Sequence, residues 1–303
     1  IQQRGVGVTA LNAQGPLDVT ALLRFIELVS YQRFDTVLSF LVHANAVAAA
    51  ASPFCPGVRF LQSIQTTQRH PRWHWWVQRV AQHRADRVIV PSPSVADVAH
   101  RWAGVPDAKI AIVHNGIDIP DAPPAAPSPQ LPHRVVFLGR LDPVKRLPDL
   151  LAAMPRLRGF ARLDIYGEGS QRPLLERRIE TLGLRESVTL HGAVNHPAEA
   201  LRGAELLVLP SEAEGFGMVL IEAMVAGVPI VATDAPGIRD VVRDGVTGLL
   251  VPVGAPAAMA AGIRNVLEDQ NLRHSMIAAA WADVQKRFTW HAAIAQYRRL
   301  LRV

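Results

Sequence analysis

Short apolar runs alternate with helix-patterned stretches along this chain, and proline interrupts the alternation once. Thr36–Val42 and Arg87–Val90 have the length and composition of buried parallel strands, with helical spacing between them from Arg72 to His83. The pattern resumes with strands over Arg134–Leu138, Arg162–Tyr166, Ser187–Leu190, Leu206–Leu209 and Pro229–Ala232. Helices are predicted over Pro148–Met154, Pro173–Leu182 and Met218–Ala226. Such alternation predicts parallel sheets with helices on both faces, an α/β class. Between the halves, Pro120–Pro132 is too proline-rich for a helix or a central strand and reads as an extended connector. We therefore expect a first domain over 1–128, a second over 133–285, and a terminal helix within 286–303 packing back on the first. In that helix Ala292, Ile294, Tyr297, Leu300 and Leu301 recur at helical spacing. Paired arrays of this kind bind ligands outside the carboxyl ends of their strands, so a cleft between the domains is the expected site.

Composition narrows the function classes. With 303 residues, 49% hydrophobic and 19% charged, the chain can bury two cores and is not disordered. Its most apolar stretch, Leu206–Val231, carries Glu212, Glu214 and Glu222, so no membrane span is expected. The single cysteine, Cys55, excludes an internal disulfide and reads as a small buried hydrophobe, which suits a reducing, cytoplasmic setting. No charged-then-apolar leader is visible in Ile1–Gly15. The net charge of +6 invites a nucleic-acid reading. However, it divides evenly: 11 Lys/Arg against 8 Asp/Glu up to Pro132, and 21 against 18 beyond. With no zinc-finger spacing, aromatic RNP signature or Lys/Arg block, nucleic acid is not an expected partner. His114, His191 and His196 are too scattered for a metal set and read as local hydrogen-bonders.

The stretch Pro210–Glu222 leaves a predicted strand, passes Gly215 and Gly217, and enters a helix. A turn of this kind aims unpaired backbone N–H groups at an anion such as a diphosphate. Glu214 and Glu222 would stand about 80° apart on a helix. Carboxylates there suit the vicinal hydroxyls of a sugar or ribose; alternatively Glu214 caps the helix and Glu222 faces solvent.

Here the sequence resembles glycosyltransferase family 4, whose Glu-x7-Glu signature matches Glu214-Gly-Phe-Gly-Met-Val-Leu-Ile-Glu222. Gly139-Arg-Leu-Asp-Pro-Val-Lys145 is similar to the family's Gly-Arg-Leu…Lys element, Asn115-Gly-Ile-Asp118 to the end of its first domain, and Gly167-Glu-Gly169 to its Gly-Glu/Asp-Gly turn. Ala226-Gly-Val-Pro229, Gly237, Asp244-Gly245 and Gly248–Val251 extend the likeness, which runs from about Phe34 to the C-terminus.

The resemblance implies a GT-B fold, two Rossmann-like domains facing a cleft, and a retaining transferase using a nucleotide-sugar donor, a UDP-, GDP- or ADP-sugar. With Arg140 and Lys145 to supply countercharge and no Asp-x-Asp pair to hold a divalent ion, no metal or other cofactor is expected. It implies that Arg140 and Lys145 contact the donor diphosphate, that Glu222 holds the ribose, and that Glu214 with Gly215, Phe216 and Gly217 addresses the sugar. Gly139, Gly167, Val194, Met218 and Val219 complete the implied donor set. Only Lys109, Lys145 and Lys286 are lysines, which favours a specific role for Lys145 over an ordinary surface pair. Two departures stand out. Ile1–Gly15 supply no opening strand with a Gly-Gly loop, so the first domain is expected to be incomplete at its start. Where the family often carries a His after a first-domain strand, Ser63–Thr67 has Gln65, and His43 is the nearby alternative for an acceptor or sugar contact. Rival readings are a nucleotide-sugar epimerase of the same fold and a non-catalytic donor-binding subunit.

Arg69–Arg87 holds three Trp, five Arg and one Asp. On a helix Trp73, Trp76/Val77, Val80 and Arg84 share one side, and Arg72, Trp75, Arg79 and His83 the other. An ordinary surface helix is the first reading; the alternative is that the first side packs on the core and the second offers Arg and Trp75 to phosphate headgroups or an anionic lipid-linked acceptor. Gly167-Glu-Gly169 lacks the third glycine and the later acidic residue of a dinucleotide fingerprint, which argues against a dehydrogenase.

Overall fold

The computed structural model describes residues 6–15, 18–122 and 131–301. Most of the predicted connector, 123–130, lies outside the described residues. Contacts divide the chain into two units. The first comprises residues up to Gln65, Arg69–Val90 and Val95–Ile112; the second comprises Thr66–Gln68, Pro91–Ser94 and everything from Val113.

In the first unit the elements run α1 (Val19–Tyr31), β1 (Thr36–Phe40), α2 (Val42–Ala51), β2 (Arg59–Ser63), α3 (Arg72–Ala81), β3 (Arg87–Val90), α4 (Pro93–Ala103) and β4 (Ile110–Ile112). The four strands form a parallel sheet in the order β1-β2-β3-β4. The predicted strand over 36–42 stops at Phe40, because the backbone turns at Leu41 (φ 71°) into α2. Cys55 is buried in this unit, as its residue type suggested.

A buried amide network fixes α2 and α3 against the sheet. Asn45 Nδ2 donates to Gln78 Oε1 at 2.8 Å and to Ser63 O at 3.0 Å; Gln78 Nε2 donates to Gln62 Oε1 at 2.9 Å; and Gln62 Nε2 donates to Ala81 O at 2.8 Å. This network reverses the orientation that the alternative reading gave α3. Trp75 is 8% exposed and packs edge-on against Trp102 at 5.1 Å, on the same inward face as Gln78 and Ala81. Trp73, Trp76 and Val80, which that reading put in the core, are 49%, 69% and 57% exposed. The helix carried a Trp on either side, and the partner for Gln78 decided which side went in, since a buried amide without partners would cost several kcal/mol.

The second unit contains β5 (His133–Leu138), α5 (Leu147–Ala153), β6 (Ala161–Tyr166), α6 (Arg172–Thr181), β7 (Val188–Gly192), α7 (Pro197–Leu201), β8 (Leu206–Leu209), α8 (Met218–Val225), β9 (Ile230–Thr233), β10 (Leu249–Val251), α9 (Pro256–Glu268), α10 (Gln270–Arg287) and α11 (Trp290–Leu301). Its parallel sheet has the order β10-β9-β8-β5-β6-β7. The chain winds outward from β5 in one direction and from β8 in the other, so the strand order reverses between β5 and β8. Such a switch point opens a crevice beyond the strand ends. All four residues of β8 are buried, as expected for a central parallel strand. Helix α11, expected to pack back on the first domain, groups by its contacts with the second unit. Its start is tied there by Ile117 N donating to Phe288 O at 2.8 Å. A side chain at Gly116 would press against Trp290, which accounts for the glycine of Asn115-Gly-Ile-Asp118.

Candidate functional site

The loops after β5, β6 and β8 meet at the switch point. Gly139 N donates to Tyr166 O at 3.0 Å, and Leu141 N to Glu168 O at 2.9 Å, so the Gly-Arg-Leu and Gly-Glu-Gly motifs are laced together through their backbones. A Cβ at Gly167 would collide with Gly139 O, so this lacing requires glycine. The third loop joins through Glu212 N donating to Val144 O at 2.9 Å. Glu214 N donates to Pro236 O at 2.9 Å, and a Cβ at Gly237 would strike the Glu214 carbonyl.

Gly217, at φ 72°, is the N-cap of α8 and makes no side-chain cap, so the chain enters the helix through a left-handed turn that favours glycine. Among the described residues the N–H groups of Gly215, Phe216 and Gly217 make no hydrogen bond. The carbonyls on the opposite edge of this turn are tied down. Thr67 Oγ1 donates to Glu214 O at 2.7 Å and Ser92 Oγ to Gly215 O at 3.1 Å, both from short segments that belong to this unit. In a trans peptide the C=O and N–H point opposite ways, so these bonds hold the Gly215 and Phe216 N–H groups away from the hydroxyls. The Phe216 ring is buried, stacked on His114 at 5.6 Å and edge-on to Phe288 at 5.6 Å, and His114 Nδ1 donates to Pro91 O at 2.7 Å. The result is a held turn with free donors at a helix start, the arrangement that receives anions.

The charged groups divide unequally. Lys145 Nζ meets Glu214 Oε1 at 2.6 Å, with side-chain exposures of 14% and 11%. Arg140 is 72% exposed, and its guanidinium pairs with Asp142 at 3.0 Å. Glu222 is half-buried on the second turn of α8, and burial pushes its carboxyl above the ordinary range. Glu214 therefore pairs with a lysine instead of capping α8, and Glu222 is withdrawn from full solvent exposure. Met218 and Val219 open α8 and pack partly against the core, as does Val194 after β7.

His43 and Gln65 stand in the first unit. His43 is exposed on the first turn of α2, its ring 5.6 Å from Trp73 and 5.9 Å from His74. Burial, and then the charge of His43, push the His74 imidazole down from its ordinary value. Gln65 Nε2 donates to Ser63 Oγ at 2.6 Å. Of the histidines read as hydrogen-bonders, His114 bonds Pro91 and His191 bonds Asp164 at 3.0 Å, whereas His196 precedes α7 without capping it through its side chain. Among the described residues no group of three or more His, Cys, Asp or Glu is placed to hold a metal ion, and no helix is long and apolar enough to cross a membrane. Sequence reading gave no role at this turn to Thr67, Ser92, His114 or Phe288. No periodicity links them to a turn so far along the chain, and only the aromatic type of His114 and Phe288 hinted at a packing role.

Known proteins share this architecture. Residues 118–282 match the family described as Glycosyl transferases group 1, and residues 2–121 match Glycosyltransferase Family 4. A Mycobacterium leprae protein named phosphatidyl-myo-inositol mannosyltransferase is 35% identical over 223 residues, covering 70% of this chain and 59% of that protein. A Mycobacterium tuberculosis glycogen synthase is 32% identical over 265 residues, covering 86% of this chain and 61% of its own length. The chain thus spans less than two thirds of these relatives. Anabaena HepE, solved with UDP-glucose, superposes with a TM-score of 0.86 at 21% identity, covering 98% of this chain and 86% of that one, which establishes the shared two-unit GT-B fold.

Proposed function

This chain belongs to the group 1 glycosyl transferases, and from that membership we propose that it moves a glycosyl group from a nucleotide-diphosphate sugar to a hydroxyl acceptor, with retention at the anomeric carbon. What supports the reading is the Lys145–Glu214 pair and three free N–H groups at the switch point of one sheet, with Glu222 half-buried on the helix that follows. As the bond to the sugar breaks, negative charge grows on the departing diphosphate. Fixed N–H dipoles and a partly buried ammonium act most strongly on that charge in the transition state. Lys145 and the exposed Arg140 supply the countercharge, so the reaction needs no divalent metal and no further cofactor. Glu222 takes the ribose hydroxyls, and Glu214 the transferred sugar. Gly139, Gly167, Val194, Met218 and Val219 line the donor side, and His43 and Gln65 address the acceptor.

The UDP-glucose held by the HepE neighbour supports a nucleotide-sugar donor, and the name of the M. leprae relative supports a lipid-linked acceptor in glycan, glycolipid or polysaccharide synthesis. The same reading places the chain in the cytoplasm, peripheral at the inner membrane face through residues 69–87, with no nucleic-acid partner.

Thermal shifts with UDP-, GDP- and ADP-sugars test the donor. A cognate ligand at a hundred times its Kd stabilises by about 2.7 kcal/mol, and no shift with any of them refutes the reading. With the cognate donor, transfer to a hydroxyl acceptor in EDTA and proton NMR of the product follow. Strict dependence on Mg²⁺ or Mn²⁺ refutes metal independence, and an inverted product refutes retention. Release of free epimerised donor assigns an epimerase, and donor binding without turnover assigns a binding subunit.

A further inference from the structure

We infer that the outward face of α3, formed by Trp73, Trp76 and Val80 with the surrounding arginines, docks on the surface of an anionic lipid bilayer. Docking deepens the transferase reading, on which its purpose rests; the binding itself does not depend on it.

The three residues lie at i, i+3 and i+7, one stripe of the helix, and all are exposed. Leu41, 64% exposed, and His43, whose ring touches Trp73, carry the patch across to the start of α2. Exposed tryptophan is costly in water and settles at the boundary between headgroups and acyl chains, where its ring is apolar and its N–H is wet. Charge points the same way. Between Asp35 and Asp86 the sequence holds no Asp or Glu, but it holds five Arg and four His. Among the described residues Arg69, Arg72, Arg79 and Arg84 have no acidic partner. Arg69 sits over the Trp102 ring and Arg79 donates to Trp102 O, so both are held beside α3, while Arg72 and Arg84 are exposed near its two ends.

A helix with an aromatic face and unneutralised cations at its flanks lies in a bilayer interface, its long side chains reaching up to phosphate. Nucleic acid is the poorer fit. It would engage the arginines and leave Val80 and Leu41 in water.

The test is co-sedimentation of the whole chain with vesicles of phosphatidylglycerol and phosphatidylcholine in equal parts, against pure phosphatidylcholine, in 0.1 M salt. Binding at least about tenfold tighter to the anionic vesicles is expected, with most of it lost in 0.5 M salt because charges beyond a few ångströms are then screened. The double variant Trp73→Ser/Trp76→Ser should lose about tenfold or more, and so should Arg72→Gln/Arg84→Gln. Both sites are exposed, so melting temperatures should stay at the wild-type value. Quenching of tryptophan fluorescence by brominated lipid should fall in Trp76→Phe. Equal binding to both vesicles, no binding to either, or tryptophan variants that bind as wild type would overturn the proposal. So would a single-stranded oligonucleotide that binds more tightly than the vesicles. Thermal shifts with UDP-, GDP- and ADP-sugars on the same samples keep the two readings apart: a shift with any of them without vesicle binding sinks docking alone, and vesicle binding without a shift from any of them sinks the donor reading alone.

Discussion

Replacing Lys145 with alanine separates the energetic role of its ion pair from any role in turnover. Nζ and Oε1 stand 2.6 Å apart with 14% and 11% of the two side chains exposed. Coulomb's law at an effective dielectric of about 20 gives an attraction of about 6 kcal/mol at that separation, before desolvation is subtracted. Removing one partner of a buried pair costs about 3 to 5 kcal/mol, because the other charge is left in a poor environment. Residual water access puts this pair at the lower end. A loss of about 3 kcal/mol lowers the melting temperature of a unit of roughly 200 residues by about 6 °C or more. Thermal and urea unfolding of Lys145→Ala, Glu214→Gln and the double variant measure it directly. The double variant should recover part of the loss, with a coupling energy of at least about 1.5 kcal/mol. A single variant within about 0.5 kcal/mol of wild type, or strict additivity in the double, would show that the contact behaves as a solvated surface pair and refute the reasoning. In a transfer assay the same substitution should lower kcat about 10²- to 10³-fold, more than it raises the donor KM. A change in KM alone would make Lys145 a uniform binding residue. Lys145→Arg should restore the charge but only part of the rate, since a planar fork cannot occupy the place of a compact ammonium.

Three further outcomes are expected. Glu222→Gln should weaken nucleotide binding by about 1 to 3 kcal/mol in calorimetry. The folded-state value of Glu222 is raised by burial, so its contribution to stability is present below the ordinary carboxylate value and is lost as pH rises through the raised one. Above that window the Gln variant should therefore unfold no more easily than wild type. Asp164 is the opposite case. Burial raises its carboxyl, but the hydrogen bonds and charges of His191 and Arg134 outweigh that and hold it low. Its stabilisation is therefore present above about pH 4 and lost as pH falls through the depressed value. Urea midpoints between pH 6 and 3 should fall more steeply in wild type than in Asp164→Asn. Gly237→Ala should cost at least about 1 to 3 kcal/mol from its φ of 81° and should weaken nucleotide binding, because the new Cβ pushes the Glu214 carbonyl off its place. Denaturation and calorimetry check both.

Local periodicity and turn chemistry by themselves determined the parallel α/β class. Arg87–Val90 and Leu206–Leu209 are strands to the residue, and Met218 opens its helix where Gly217 implied it would. These elements are legible because a buried strand or a glycine entry is encoded by neighbours in the chain. Helices such as α2, with the sequence Val-His-Ala-Asn-Ala-Val-Ala-Ala-Ala-Ala, were not read from the sequence, because a run of small residues carries no amphipathic stripe. Motif spacing singled out Lys145, Glu214 and Glu222, but their pairing was not legible. Lys145 and Glu214 are brought together because β5 and β8 are neighbours at the switch point. Tertiary structure alone decided which carbonyls of the 214–217 turn Thr67 and Ser92 hold, and that His114 and Phe288 pack its phenyl ring. It also decided the orientation of α3. The helix offered a tryptophan on either side, and the choice fell to the amides of Asn45 and Gln62, far off in sequence, which could satisfy Gln78 only if Trp75 turned inward and Trp76 out.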